Sequence, residues 1–140
     1  MNTFQQRKED VKRDWHLVDV KGKILGRVSV EIANYLTGKG KVEFTKHVDS
    51  GDFVVVINAK EVKLSGKKEK QKVYHHHSGY LGKLKTLSFQ EVLARKPEDI
   101  IIHSVSGMIP DNRLKSRRLA RLKIFAGSEN PLANKLEVKS

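Results

Sequence analysis

The sequence has no cysteine, three prolines and one tryptophan among its 140 residues. Without cysteine it can form neither a disulfide framework nor a thiolate metal site, and a reducing cytoplasm suits it. No apolar stretch approaches the roughly 20 residues that span a bilayer, and no lipidation motif is present. The first residues, MNTFQQRKEDVKRDW, carry acids and no hydrophobic segment, so they do not match a targeting signal. These absences predict a cytoplasmic protein with no membrane partner.

Acidic residues are also scarce relative to basic ones. The chain carries 28 lysines and arginines against 16 aspartates and glutamates, a formal net charge of +12. Such an excess favours a nucleic-acid partner over a small neutral ligand, although an anionic membrane surface would attract it too. A chain of this length is sufficient for one domain with a sizeable core. We expect a single RNA-binding domain over residues 1–140, with a polar arm at about 1–12 and an irregular tail at about 128–140.

The most basic segment, residues 113–123, contains no acid. Its cations are Arg113, Lys115, Arg117, Arg118, Arg121 and Lys123. On a helix, Arg113, Arg117 and Arg121 would stack at i, i+4 and i+8, where like charges repel one another. The apolar residues of the same helix would form another arc: Leu114, Leu119, Leu122 and Phe125. A charge run is often a solvated face, but the absence of any acid favours a stripe that lies against a polyanion.

A second basic cluster runs directly into aromatic and histidine residues. Its lysines are Lys63, Lys67, Lys68, Lys70 and Lys72, and its ring side chains are Tyr74, His75, His76, His77 and Tyr80. This mixture is typical of surfaces that contact RNA phosphates and stack on bases. Three consecutive histidines also suggest a metal site. However, neighbours on a strand point to opposite faces and no carboxylate lies close in sequence, so we expect no metal. Four further candidate cations are Arg27, Lys39, Lys41 and Lys46.

Hydrophobic patterning predicts an α/β fold. Residues 15–20 are a short β-favouring run, and residues 53–57 (FVVVI) are a continuous β-branched run typical of a central parallel strand. Gly38 stands where the C-terminal cap of an intervening helix belongs. The buried arc of that helix would be Leu25, Val28, Ile32, Tyr35 and Leu36. Strand, helix and strand in that order favour a right-handed crossover.

Two more helices are expected after residue 88. The SFQE sequence at residues 88–91 matches a capping box. Pro97 is well placed as the first residue of the next helix. The predicted buried arc of that helix is Ile101, Ile102, Val105, Met108 and Ile109.

Two other classes of protein fit the sequence less well. A strand, a glycine-containing turn and a helix suggest a nucleotide-using enzyme, but neither phosphate-binding pattern, G-x-G-x-x-G or G-x-x-x-x-G-K-[ST], is present. No nucleophile–base arrangement is recognisable, so we expect no catalytic residues, no cofactor and no small-molecule substrate. A DNA-binding protein would be expected to show a helix-turn-helix, a zinc module or a dimer seam. The sequence shows none of these patterns.

Seven short patterns occur in an order that resembles a known family. They are KRDW at 12–15, GKILGR at 22–27, HVDSGD at 47–52, KVYHHHSGY at 72–80, RKPE at 95–98, GMIP at 107–110 and RLKIFAG at 121–127. Together they resemble the bacterial large-subunit ribosomal protein L-thirteen family over residues 3–131. The chain departs from the family at residues 114–116 and at Asn130, Leu132 and Asn134. Histidines are usual beside the family's proline, so their contacts are not carried over to Asn130 or Leu132.

The resemblance implies a three-layer α/β/α sandwich around a four-stranded, mainly parallel sheet. It also implies binding to large-subunit rRNA early in assembly, beside neighbouring ribosomal proteins, without catalysis. Basic side chains would let phosphate strands approach one another, and the rigid body would fix their relative placement.

Overall fold

The structure is a computed structural model that describes residues 3–137. Its strands are β1 (Trp15–Asp19), β2 (Phe53–Ile57), β3 (Val73–His77), β4 (Leu84–Ser88) and β5 (Leu122–Ile124). Its helices are α1 (Leu25–Thr37), α2 (Lys68–Gln71), α3 (Phe89–Arg95), α4 (Pro97–Met108), α5 (Lys115–Ala120) and α6 (Ala133–Glu137). The α/β class is therefore confirmed. No helix within residues 3–137 combines the length and apolar character needed to cross a membrane.

The strand β2 is the centre of the parallel sheet, as its β-branched sequence predicts. It pairs in parallel with β1 on one side and β5 on the other. Val54, Val55 and Val56 have no exposed surface, which explains the lack of polar residues in this strand. In the register of the sheet, Val55 lies between Leu17 and Lys123.

The helix α1 covers one face of this sheet with the predicted arc. Leu25, Val28, Ile32 and Leu36 are buried in the same core cluster as Val54 and other sheet residues. The helix ends at Thr37, and Gly38 caps it with a left-handed φ of 75°. The backbone N–H of Gly38 donates to the carbonyls of Asn34 and Tyr35, which are among the last carbonyls of the helix.

The helix α4 packs beside α1 but buries a different arc from the predicted one. It begins at Pro97, as expected. Its buried residues are Pro97, Ile100, Ile101 and Val105, whereas Ile102 and Met108 are each 41% exposed. The prediction omitted Ile100, which lies 100° before Ile101 on the helix. Because the buried arc is centred nearer Ile100 and Ile101 than predicted, Ile102 faces solvent. The predicted burial of Ile102 and Met108 was therefore wrong.

The helix α3 begins with the predicted capping box. The Ser88 side chain accepts a hydrogen bond from the backbone N–H of Glu91, and the Glu91 carboxylate accepts from the backbone N–H of Ser88 at 2.8 Å. The bonds from Ser88 lower the pKa of Glu91 below its ordinary value.

We expect Ser88→Ala to lower the free energy of unfolding by about 1 kcal/mol, because an N-cap hydrogen bond is lost. Chemical denaturation of the variant measures this loss of stability. The control is Ser65→Ala, which changes an exposed serine outside any helix. Equal midpoints for the two variants would contradict it.

The finer architecture implied by the resemblance is not confirmed. Within residues 3–137 the parallel sheet has three strands, and β3 and β4 form a separate antiparallel hairpin. On the sheet face opposite α1, α6 contacts β1 and places the Lys135 ammonium 5.1 Å from the Trp15 ring centre. Leu17 on that face is half exposed and Lys123 is exposed, so this second layer is incomplete. The helix α6 lies in the segment that was expected to be irregular.

Candidate nucleic-acid interface

The basic segment folds differently from the long helix that its spacing predicts. The helix α5 ends at Ala120, and the chain then turns into β5 at Leu122. Arg113 precedes the helix and Arg121 follows it. Arg113 and Arg117 are exposed, whereas Arg121 retains 8% of its surface. The expected stripe of three stacked arginines is therefore not formed.

Arg121 points inward because an acid from a distant loop neutralises it. Its Nη1 and Nη2 donate to the two carboxylate oxygens of Asp49 at 2.5 and 2.7 Å. The guanidinium also donates to the backbone oxygens of Leu36 at 3.1 Å and of Asp52 at 3.3 Å. Such a bidentate pair is among the strongest polar contacts that proteins make. Arg121 thus ties α5 and β5 to the end of α1 and to the loop before β2.

Three arginines surround the carboxylate of Asp49. We call these four residues the Asp49 cluster: Asp49, Arg13, Arg118 and Arg121. The Arg13 Nη2 lies 3.7 Å and the Arg118 Nε 3.6 Å from its carboxylate. Burial opposes ionisation of Asp49, but the hydrogen bonds from Arg121 and the three positive charges outweigh it, so its pKa is lowered. The carboxylate is therefore ionised at neutral pH.

Asp52 organises a second group of polar contacts beside this cluster. The Lys41 ammonium donates to Asp52 at 2.6 Å and to the backbone oxygens of Lys12 and Ser50 at 2.8 and 3.0 Å. The ring of His16 lies 2.9 Å from the other oxygen of Asp52. Burial opposes ionisation of Asp52, but these bonds outweigh it and lower its pKa. Lys41, a candidate RNA contact, is thus occupied by protein oxygens.

Positive charge exceeds negative charge where these contacts meet. Arg13, Arg118, Arg121 and Lys41 face the two carboxylates of Asp49 and Asp52. Burial and the charge of Arg121 lower the pKa of Arg13, and the two aspartates offset part of this. The Nε of Arg118 is buried and forms no hydrogen bond within the described residues. The four cations therefore outnumber the two carboxylates at this junction.

Two basic pockets flank α5, each of about 350 Å³. The cationic and imidazole residues of the first basic pocket are Lys8, Arg13, His47, Arg117 and Arg121. Those of the second basic pocket are Lys39, Lys46 and Arg118. Five of the predicted residues therefore meet beside α5. The sequence analysis did not identify Lys8, Arg13 and His47 as candidate contacts. Arg13 and His47 lie in the KRDW and HVDSGD patterns, so those patterns could have indicated them.

The β3–β4 hairpin carries a separate group of candidates. His75, His76, His77 and Tyr80 are exposed, and Tyr80 retains 75% of its surface. The Nδ1 of His75 lies 3.0 Å from the Thr86 hydroxyl. The Nδ1 of His77 accepts the backbone N–H of residue 79 at 2.9 Å and so holds the turn. Within residues 3–137, no three His, Asp or Glu side chains are grouped so as to hold a metal ion.

Tyr74 differs from the other rings of the hairpin because it packs against the core. Its ring meets His103 edge-on at 5.4 Å, and the Lys72 ammonium lies 5.5 Å from its centre. Its hydroxyl is buried without a hydrogen bond within the described residues, and burial raises its pKa. Tyr74 is therefore not a free stacking surface.

The remaining candidates are dispersed. Lys67 and Lys68 are exposed at the start of α2, and Arg27 is exposed on α1. Lys123 is exposed on β5. Lys115 is half-buried on α5, with its ammonium 3.5 Å from the exposed carboxylate of Asp111. None of these residues lines either basic pocket.

Comparison with known proteins identifies the family of the chain. The family model described as "Ribosomal protein L13" matches residues 13–131. A protein of Clostridioides difficile named "Large ribosomal subunit protein uL13" is 52% identical over 130 residues, which are 93% of this chain and 91% of that protein. One of the same name from Dictyoglomus thermophilum is 50% identical over 131 residues, 94% and 92% of the two chains. The chain belongs to the ribosomal protein L13 family, whose members are structural components of the ribosome and not enzymes.

Proposed function

We propose that this protein is a structural constituent of the large ribosomal subunit that binds large-subunit rRNA with the basic surface around α5. The relatives carry that subunit in their names. The observation that supports this surface is the excess of positive charge at the Asp49 cluster, beside two basic pockets. As a ribosomal component the protein works in the cytoplasm and uses no cofactor.

The cations of the α5 region divide into two roles. Arg121 and Lys41 are bonded to protein acceptors and position the segment. Arg113 and Arg117 are exposed and free to meet phosphates. Contacts to phosphates fix the register of a protein on nucleic acid and release counterions. A rigid internal network thus presents a few outward arginines to the backbone of rRNA.

The hairpin supplies a second contact region on a different element. Its exposed histidines and Tyr80 offer rings for stacking on unpaired bases, and Lys67, Lys68 and Lys72 offer charges for phosphates. A protein with two basic regions on one rigid body holds two rRNA segments at a fixed separation. This arrangement suits a role in assembly of the subunit, next to neighbouring ribosomal proteins.

The salt dependence of binding tests the α5 surface. We expect Arg113→Gln combined with Arg117→Gln to flatten the log–log salt slope of rRNA binding by about 1.4–1.8 units, taking 0.7–0.9 per phosphate contact as for DNA. The fold should persist because both side chains are exposed. Filter binding to transcribed large-subunit rRNA at several salt concentrations measures the slope.

The matched control removes two exposed cations on other elements than α5, Lys60 after β2 and Arg95 at the end of α3. Lys60→Gln with Arg95→Gln lowers the net charge by as much as Arg113→Gln with Arg117→Gln, but it should change the salt slope by less. Equal slopes for the two double variants would mean that only net charge matters, and would count against this surface. Arg121 is excluded from the test because its loss would disturb the Asp49 cluster.

A further inference from the structure

The second basic pocket combines features that a general phosphate-binding surface does not need. It forms where α1, α4 and α5 meet the loop after α1. Its walls include the ring of Phe44, the side chain of Met108 and the amide of Asn34. Its cations are Lys39, Lys46 and Arg118. Its volume of about 350 Å³ falls within the range of small-ligand sites.

Arg118 brings a nearly buried guanidinium to the wall of this pocket, and it shares its carboxylate partner with other arginines. Its side chain is 3% exposed, and its Nε forms no hydrogen bond within the described residues. The nearest carboxylate, Asp49, lies 3.6 Å away and is already bonded twice by Arg121. Asp49 therefore neutralises the charge of Arg118 only in part, and a phosphate in the pocket would add the negative charge that this group of arginines lacks.

The other walls suit a nucleobase. Unpaired RNA bases are recognised by stacking on aromatic rings and by hydrogen bonds to their edges. Phe44 supplies a half-buried ring, and Asn34 supplies an amide that can both donate and accept. Lys39 and Lys46 are exposed and suit the phosphates on either side of one nucleotide.

We propose that the second basic pocket holds one unpaired nucleotide of the bound rRNA, with its base against Phe44 and its phosphate near Arg118. This inference rests on the proposed rRNA binding and adds a single-nucleotide subsite to it. A free nucleoside monophosphate has the same chemistry, but the flanking lysines favour a nucleotide within a strand.

The test is chemical probing of unpaired nucleotides on transcribed large-subunit rRNA bound to the full chain. The wild-type protein should protect one nucleotide that becomes reactive again with Phe44→Ala, while the other protections remain. Affinity should fall by about tenfold, the order expected for loss of one base–aromatic stack. The matched control is Phe4→Ala, since Phe4 is 72% exposed and lies outside the pocket; it should behave as wild type.

A second variant keeps the test decisive if Phe44→Ala folds poorly. Lys39→Gln with Lys46→Gln changes two exposed residues and should expose the same nucleotide. Protections that none of these pocket variants alters would overturn the inference and leave rRNA binding intact. No wild-type protection at all would instead overturn the proposed function.

Equilibrium dialysis with AMP, GMP, CMP and UMP distinguishes the two sources of nucleotide. We expect no saturation at micromolar concentrations. Saturable, Phe44-dependent binding of a free monophosphate, without a Phe44-dependent nucleotide in rRNA, would overturn the assignment to rRNA.

Discussion

Replacing Gly51 with alanine is expected to lower the free energy of unfolding by more than about 4 kcal/mol, a loss that few single substitutions cause. A Cβ at residue 51 would lie 1.7 Å from the carbonyl oxygen of Leu36 and 2.7 Å from the Nη2 of Arg121. The first neighbour is backbone at the end of α1, and the second is bonded to Asp49. Neither can withdraw without breaking a contact that holds the loop.

Denaturant-induced unfolding followed by circular dichroism measures this effect. The control is Gly107→Ala on α4, where a Cβ would have no neighbour within 4 Å in the described part of the chain. Because alanine favours a helix by about 1 kcal/mol over glycine, this control should be neutral or more stable. A Gly51→Ala protein as stable as the control would show that the loop does not approach α1 as closely as the structure indicates.

The features that sequence predicts correctly are those governed by short-range physics. The arc of α1 follows from a period of 3.6 residues, and its end follows from the conformational freedom of Gly38. The capping box at Ser88 is complete within four residues. The β-branched run of β2 requires burial on both faces wherever the strand lies. In each case the pattern that determines the structure lies within the sequence of the element itself.

The basic segment was predicted incorrectly because its determining contacts are distant. Leu119 and Leu122 have helical spacing, but Leu122 belongs to β5 and pairs with Val54 on β2. The acid that turns Arg121 inward is 72 residues away in sequence. A count of charges between residues 113 and 123 includes no such partner. Local periodicity therefore extended the helix past Ala120, where the chain in fact enters the sheet.

In the candidate site, too, local sequence patterns predicted some features, whereas features that depend on distant contacts were missed. Composition and clustering identified most of the cations that lie beside the two pockets, including Lys39, Lys46 and Arg117. They did not distinguish these from Lys41 and Arg121, whose charges are used within the protein. Only the fold reveals which acid faces which base. The internal pairs fix the loop and α5, and the exposed cations around them, such as Arg113 and Arg117, are the ones that we propose meet rRNA.

We expect Asp49→Asn to lower the free energy of unfolding at pH 7 by about 3–5 kcal/mol, the range for removing one partner of a buried ion pair. The Asp49 side chain is 11% exposed, and its loss leaves Arg121, Arg118 and Arg13 close together without their carboxylate. The effect should depend on pH. Since the folded state lowers the pKa of Asp49, its contribution is full well above the ordinary aspartate value near 3.9 and is lost as pH falls towards the lower folded pKa.

The difference in stability between wild type and Asp49→Asn should therefore be constant from pH 7 to about pH 5 and shrink below that. Asp52 contributes acid sensitivity in the same direction, but it is present in both proteins and largely cancels in the difference. Asp111→Asn is the control, because that side chain is 95% exposed and its one ion pair among residues 3–137 is with the Lys115 ammonium at 3.5 Å. Its loss should change stability by less than about 1 kcal/mol. Urea unfolding of the three proteins across this pH range measures all of these quantities. A gap that stays constant down to pH 3 would show that Asp49 acts through its shape and hydrogen bonds, and not through its charge.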